Sequence, residues 1–283
     1  GNCANGRPVW FDRAAYEADL IVPINRVKLH TDFVGPIQSG LCKMLVIGLG
    51  NHKGCSAVHE EAPEVFADAI EETARLILQK APVGFGIAIL ENAYDKTYAV
   101  EAVPAEHLVE REKELVQIAK GNMPYIMLDE ADVIVCGAIG KDISGAGFDP
   151  NILGRSSVLK QFVLHIPRYQ RLVLCDVTPA SHGNGIGVGL FDVITKKVAE
   201  QLDLESMYAN AIACNCLGDA SVPCTVDDEE TAIRVALKCC RNIDRDHPRI
   251  IRIQNTLHLG EIEVSEALLD AVRADSRMSL IEN

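Results

Sequence analysis

Residues 131–139 read ADVIVCGAI, an apolar run that opens onto the glycine-rich stretch GKDISGAGFDPNILGR at 140–155. The pattern repeats at once: RLVLCDVT at 171–178 leads into PASHGNGIGVG at 179–189. Short apolar runs bounded by turn residues are expected of strands buried on both faces, and such strands belong to sheets covered by helices. Further along, helical periodicity covers 191–202 and 231–240, RIIRIQN at 249–255 reads as a strand, and SEALLDAVR at 265–273 as a late helix. Upstream, Pro63 stands near the start of a helix whose Val65, Phe66, Ala69, Ile70, Ala74, Ile77 and Leu78 share one face. GFGIAIL at 84–90 and YAVEAV at 98–103 read as strands, and Pro104 opens a helical pattern through Lys120 that Gly121 and Pro124 stop. Strands alternating with helices predict an α/β fold.

At 283 residues the chain is long enough for two compact units. The division is expected near Pro124, giving two α/β units, 1–124 and 125–283, with a cleft between them. Only about ten residues precede RAAYEADLIVPINRV at 13–27, which reads as a helix end feeding a strand, so the first unit is expected to be N-terminally truncated, with Gly1 a processing remnant.

Asp and Glu outnumber Lys and Arg by 40 to 27, a formal net charge of -13. Long-range attraction to nucleic acid or anionic lipid is therefore a poor organising principle, and neither is expected as a partner. The acidic residues lie mainly in patterned segments such as EEAPEVFADAIEETARLILQK at 60–80, where a solvated helix face accounts for them. No run of about 18 uncharged apolar residues occurs; the longest candidate, LCKMLVIGLG at 41–50, contains Lys43. The ten cysteines sit mostly in strand-like apolar settings and form no CxxC pair, as expected for buried thiols in a reducing cytoplasm. Cys214 and Cys216, and the adjacent Cys239 and Cys240, lack zinc-finger or ferredoxin spacing.

Chemistry-bearing residues concentrate early. His30 in VKLHTDF, Lys43 in SGLCKML and His59 in NHKGCSAVHEE lie within thirty residues, with His52 a fourth candidate. Histidine exchanges protons near neutral pH and ligates borderline metals; lysine supplies a charge or an amine for covalent attachment. The plainer readings are a loop-bonding His30, a snorkelling Lys43 and a surface His59 ahead of an acidic helix. In the second half, Ser181 and His182 are adjacent, but no GxSxG elbow or orienting carboxylate makes them a nucleophile and base. Lys141 in the first glycine-rich loop has equal loop and functional readings, and His258 has no assigned role.

The segments 18–54, 139–155, 205–224 and 249–269 together resemble the nickel-dependent lactate racemase family, nearer to its uncharacterised relatives than to its characterised racemases. The resemblance runs through nearly the whole chain. It implies a racemase or epimerase (an isomerase) of a small 2-hydroxy acid, acting by hydride transfer with a nickel-pincer nucleotide, the mononucleotide of nickel pyridinium-3,5-bisthiocarboxylic acid. On this resemblance His30 is a catalytic histidine, Lys43 the covalent tether of the cofactor and His59 the nickel ligand, with His52 the alternative. Lys141 is the candidate partner of the substrate carboxylate and Arg155 the alternative; His182 is a candidate for lining the cleft. A second catalytic histidine belongs upstream of the present chain. Proteins that make and insert the cofactor are implied partners, and recombinant chain is expected to lack it. Where the characterised racemases are very glycine-rich before the tethering lysine, this chain has GPIQSGLCK at 35–43; Cys42 there is expected to be a buried thiol. The other readings are a nickel or nucleotide-cofactor binding protein without turnover, and a nicotinamide-dependent oxidoreductase, which lacks its fingerprint here.

Overall fold

The computed structural model describes residues 1–281 and divides the chain into two compact units, Gly1–Met123 and Pro124–Asn283. Residues 282 and 283, the end of the expected second unit, lie outside the described residues. Both units mix helices with a sheet, so the fold class is α/β.

In the first unit a short helix, α1 (Arg13–Tyr16), precedes strand β1 (Ile24–Arg26). The strand expected from 18 to 27 shrinks to these three residues, because Pro23 denies the ladder an N–H just ahead of them. β1 pairs in parallel with β2 (Phe85–Glu91), and β2 pairs antiparallel with β3 (Thr97–Pro104), with Ile24 opposite Ile87 and Ile87 opposite Ala102. A parallel pair needs a long crossover, and here it holds α2 (Leu41–Lys43), a π-helical turn (Met44–Gly48), α3 (Asn51–His59) and α4 (Phe66–Lys80). The buried face of α4 includes Phe66, Ala69, Ile70, Ala74 and Ile77, as its periodicity predicts, although the helix begins three residues after Pro63. α5 (Leu108–Asn122) follows β3 and turns Leu108, Leu115 and Val116 inward. Of this crossover only α4 is among the expected elements; α2, the π-helical turn and α3 are not.

The second unit holds a six-stranded sheet in the order β7-β6-β5-β4-β8-β9. These are β4 (Val133–Cys136), β5 (Arg171–Leu174), β6 (Val193–Thr195), β7 (Cys224–Val226), β8 (Ile250–Ile253) and β9 (Glu263–Val264). All pairs are parallel except the β8–β9 edge. Every residue of β4 is buried, as its unbroken apolar run requires. Val133, Val135, Val173 and Val193 form one core with Ala232, Ala236 and Cys240, residues in and just beyond α9 (Glu229–Lys238). The helix expected over 191–202 is corrected: Val193–Thr195 is strand, and only Lys196–Gln201 is helical. The β-branched run VIT fits the pleat, and Thr195 then caps the helix by accepting the Val198 N–H. Strand order reverses direction at β4, whose neighbours are β5 on one side and β8 on the other; the loops leaving the carboxyl ends of these strands therefore flank a topological switch point. Among the described residues, no helix is long and apolar enough to cross a membrane.

Candidate active site

His30 lies in the loop between β1 and α2. Leu29, Phe33 and Ile37 anchor that loop by burial, and Lys28 and Ser39 exchange backbone hydrogen bonds across its base at 2.9 and 3.2 Å. The His30 N–H donates to Gln38 Oε1 at 2.8 Å, and Gln38 Nε2 donates to the Gly35 carbonyl at 3.1 Å, so the loop is braced from inside. The ring stacks on Phe33 with centroids 4.3 Å apart, and its Nδ1 accepts the Asp32 N–H at 3.0 Å. Its Nε2 is hydrogen-bonded to Lys43 Nζ. Burial first, and then the electrostatic influence of the neighbouring basic groups Lys43, His59 and Lys28, holds the His30 pKa well below the usual 6.5.

Lys43 projects from a helical segment whose opposite side is fixed. Leu41, Cys42, Leu45 and Val46 are buried, while Lys43 is half-buried. Gly40 at the N-terminus offers no side-chain cap. A side chain from α5 takes that place: Glu112, fully buried, accepts the Cys42 N–H on Oε2 at 2.8 Å. A Cβ on Gly40 would stand 2.6 Å from Glu112 Oε1, so glycine is what lets the carboxyl reach the helix end. Oε1 has no hydrogen-bond partner among the described residues. Burial raises the Glu112 pKa to about 7 against the backbone hydrogen bonds that lower it. Cys42 is the buried thiol expected, its pKa pushed up by burial and by Glu112. The π-helical turn after Lys43 is a distortion that recurs at functional sites.

His59 ends α3 rather than preceding α4, because the turn at 60–65 separates the two helices. Its Nδ1 lies 2.7 Å from the Cys55 carbonyl, to which it donates, leaving the Nε2 lone pair available as a ligand. Phe66 meets His59 edge-on at 5.0 Å and Phe33 at 4.7 Å, so His30, Phe33, Phe66 and His59 form a row of rings with a histidine at each end. Lys43 and His30, from separate segments, are thus in direct contact, and Phe33 and Phe66 connect His30 to His59. His52 lies in the first turn of α3, about 10 Å along its axis from His59. It lines an open groove of about 750 Å³ with Trp10, Lys53, Ser56, Glu60 and Glu61.

The second unit places its candidates on the loops beyond β4, β5 and β8. The Lys141 N–H donates to Ser181 Oγ at 2.7 Å, and its ammonium donates to the Gly145 carbonyl at 2.6 Å. Thr178 Oγ1 donates to Asp142 and lies 3.0 Å from Ser181 Oγ. Gly140 is required at the centre of this knot, since a Cβ there would stand 2.0 Å from Thr178 Oγ1. Arg155 is engaged structurally, paired with Asp192 at 2.7 Å, donating to the Leu190 carbonyl and lying over the Tyr169 ring. His182 and His258 are exposed, the former in the left-handed region with φ of 49°.

Sequence reasoning missed Glu112 and the Asp32 amide. The first left a signal: Leu108, Val109, Glu112, Leu115, Val116 and Ala119 form one helical stripe in which Glu112 is the single charge. The second left none, because a backbone N–H carries no residue type.

No family model matches the chain, and no curated protein matches it. Among solved structures it is similar to the lactate racemase apoprotein from Thermoanaerobacterium thermosaccharolyticum, at 13% identity and a TM-score of 0.47, over 91% of this chain and 66% of that one. It is also similar to a structural-genomics protein from Thermotoga maritima, at 13% identity and a TM-score of 0.41, over 78% of this chain and 56% of that one. The chain spans less than two thirds of the length of either.

Proposed function

We propose that this chain provides the cofactor-anchoring and proton-transfer face of a racemase or epimerase of small 2-hydroxy acids. The observation that carries the reading is the meeting of His30, Lys43 and His59 around one row of rings. Among the described residues no three His, Cys, Asp or Glu side chains are grouped to hold a bare metal ion. A nickel-pincer nucleotide fits that donor set, since it brings one carbon and two sulfur ligands and asks the protein for a single further donor. His59 has the form such a donor takes, with Nδ1–H held by a carbonyl and the lone pair on Nε2. Lys43 would hold the cofactor covalently through its amine.

When bound, the cofactor would supply nickel and a carbon that takes and returns the substrate hydride. The chain's own work is narrower. His30 would face the substrate's C2 oxygen at Nε2, and its depressed pKa keeps the ring neutral. Phe33 and Phe66 fix the ring and exclude water from that side. Lys141 is the proposed partner of the substrate carboxylate, for which its ammonium must exchange the Gly145 carbonyl for the ligand.

The test is the intact mass of the full-length native protein purified from a host that makes the cofactor, beside Lys43→Ala. A nickel-bearing increment lost in the variant supports the tether. An unmodified chain under verified cofactor supply sinks it, and a modified chain that racemises no 2-hydroxy acid leaves a cofactor-binding protein without turnover.

A further inference from the structure

The hydrogen bonds around His30 fix where its proton sits. Nδ1 accepts the Asp32 N–H, so it carries no proton, and a neutral ring must then hold its proton on Nε2. A doubly protonated ring would aim Nδ1–H at that same amide. Burial opposes the doubly protonated form too, as does any positive charge on Lys43, His59 or Lys28. Nε2 meets Lys43 Nζ. With the proton on Nε2, the lysine nitrogen has to present a lone pair, because an ammonium would set N–H against N–H.

We infer that the cofactor-free chain holds Lys43 as a neutral amine accepting a hydrogen bond from His30 Nε2, and that Lys43 is thereby a ready nucleophile for an activated acyl group. An ordinary lysine at neutral pH is neutral in fewer than about one molecule in a thousand. Here the unprotonated form is the one the neighbours accommodate. The acceptor class is R–CO–X, with X a thiolate or an oxygen leaving group. The Nζ lone pair forms the N–C bond, the C–X bond breaks with its electrons passing to X, and the proton lost by the nitrogen goes to X or to solvent. The amide left behind has no basic lone pair, so it no longer accepts from Nε2. Resting on the function proposed above, this orders events: the tether forms first, and the His30 Nε2–H is released to hydrogen-bond the substrate only afterwards.

The experiment uses the whole chain without cofactor, acetylated at pH 7 with limiting N-hydroxysuccinimidyl acetate and read residue by residue by peptide mass spectrometry. Lys43 is expected to react at least about ten-fold faster than an ordinary exposed lysine such as Lys196. His30→Ala removes that advantage. A Lys43 rate at or below that of Lys196, or an advantage that survives His30→Ala, overturns the inference. The wild-type chain gives a second reading that needs no variant: ¹⁵N spectra of histidine-labelled protein should place His30 in the Nε2–H neutral form, and an Nδ1–H or imidazolium signature overturns it. Neither measurement involves nickel. Fast acylation in a chain that never acquires a nickel-bearing mass keeps this inference and removes the proposed function, whereas a cofactor adduct on a lysine of ordinary reactivity does the opposite.

Discussion

Each unit has a carboxylate that is almost completely buried, Glu112 in the first and Asp132 in the second, and these two are handled in opposite ways. Asp132, at the foot of β4 in the second unit, accepts the Arg249 backbone N–H on Oδ2 at 2.8 Å and the Arg249 guanidinium on Oδ1 at 2.9 Å. Both oxygens are used and the charge is paired. Glu112, in the first unit, accepts amide hydrogen bonds at the end of the helix that carries Lys43, and its Oε1 has no hydrogen-bond partner among the described residues. A buried carboxylate with a guanidinium is a lock. One without it hovers between charged and neutral near physiological pH.

The largest effect is expected from breaking the lock. Arg249→Ala leaves Asp132 buried without its counter-charge and should cost about 4 kcal/mol of stability in urea unfolding at pH 7. Removing both partners should cost less than the two single variants together, since Asp132→Ala takes away the charge that Arg249 compensates. Strict additivity in that cycle would mean the pair is not coupled, and the contrast with Glu112 would lose its basis.

Glu112 should declare itself through pH. Its pKa rises from the ordinary 4.5 to about 7 on folding, so the folded chain binds this proton more tightly than the unfolded one. Below about pH 4.5 both states hold the proton and the group costs nothing. As pH rises toward 7 the unfolded chain ionises first, and stability falls by about 1.4 kcal/mol per unit, for a total of about 3 kcal/mol before it levels off. Other groups titrate over the same range, so the quantity to read is the difference between wild type and Glu112→Gln. That difference should favour the Gln variant increasingly between pH 5 and 8. A flat difference would mean that water or a cation satisfies Glu112 and that it resembles Asp132 after all.

How much of this was legible in the sequence divides along the same line. The second sheet was readable because VIVC and the LVL of β5 are buried on both faces, and an unbroken apolar run has few other uses. The strand in Val193–Thr195 was not, because three residues leave no period to count and the helix after them supplied one. In the first unit, residue type marked His30, Lys43 and His59 as able to do chemistry, yet their placement depends on the short α2, a π-helical turn and α3, none of which has a strong local pattern. The proton on His30 depends on a backbone amide two residues away, which every residue but proline possesses.

The smallest of these effects should come from Gly40→Ala, and it isolates packing from charge. The φ of Gly40 is 176°, extended backbone open to any residue, so an alanine there incurs no conformational strain. What it meets is Glu112 Oε1 at 2.6 Å, a contact that forces the carboxyl off the helix end or shifts the helix itself. Overpacking of this kind costs about 1–3 kcal/mol. The variant should therefore be destabilised at pH 5, where Glu112 is neutral, as well as at pH 8. Adding Glu112→Ala empties the space the new methyl needs, so the double variant should lose less than the sum of its parts. If it recovers nothing, the carboxyl is not what Gly40 makes room for. If recovery is accompanied by ordinary acylation of Lys43, then Glu112 caps the helix and also sets the depth at which Lys43 meets His30.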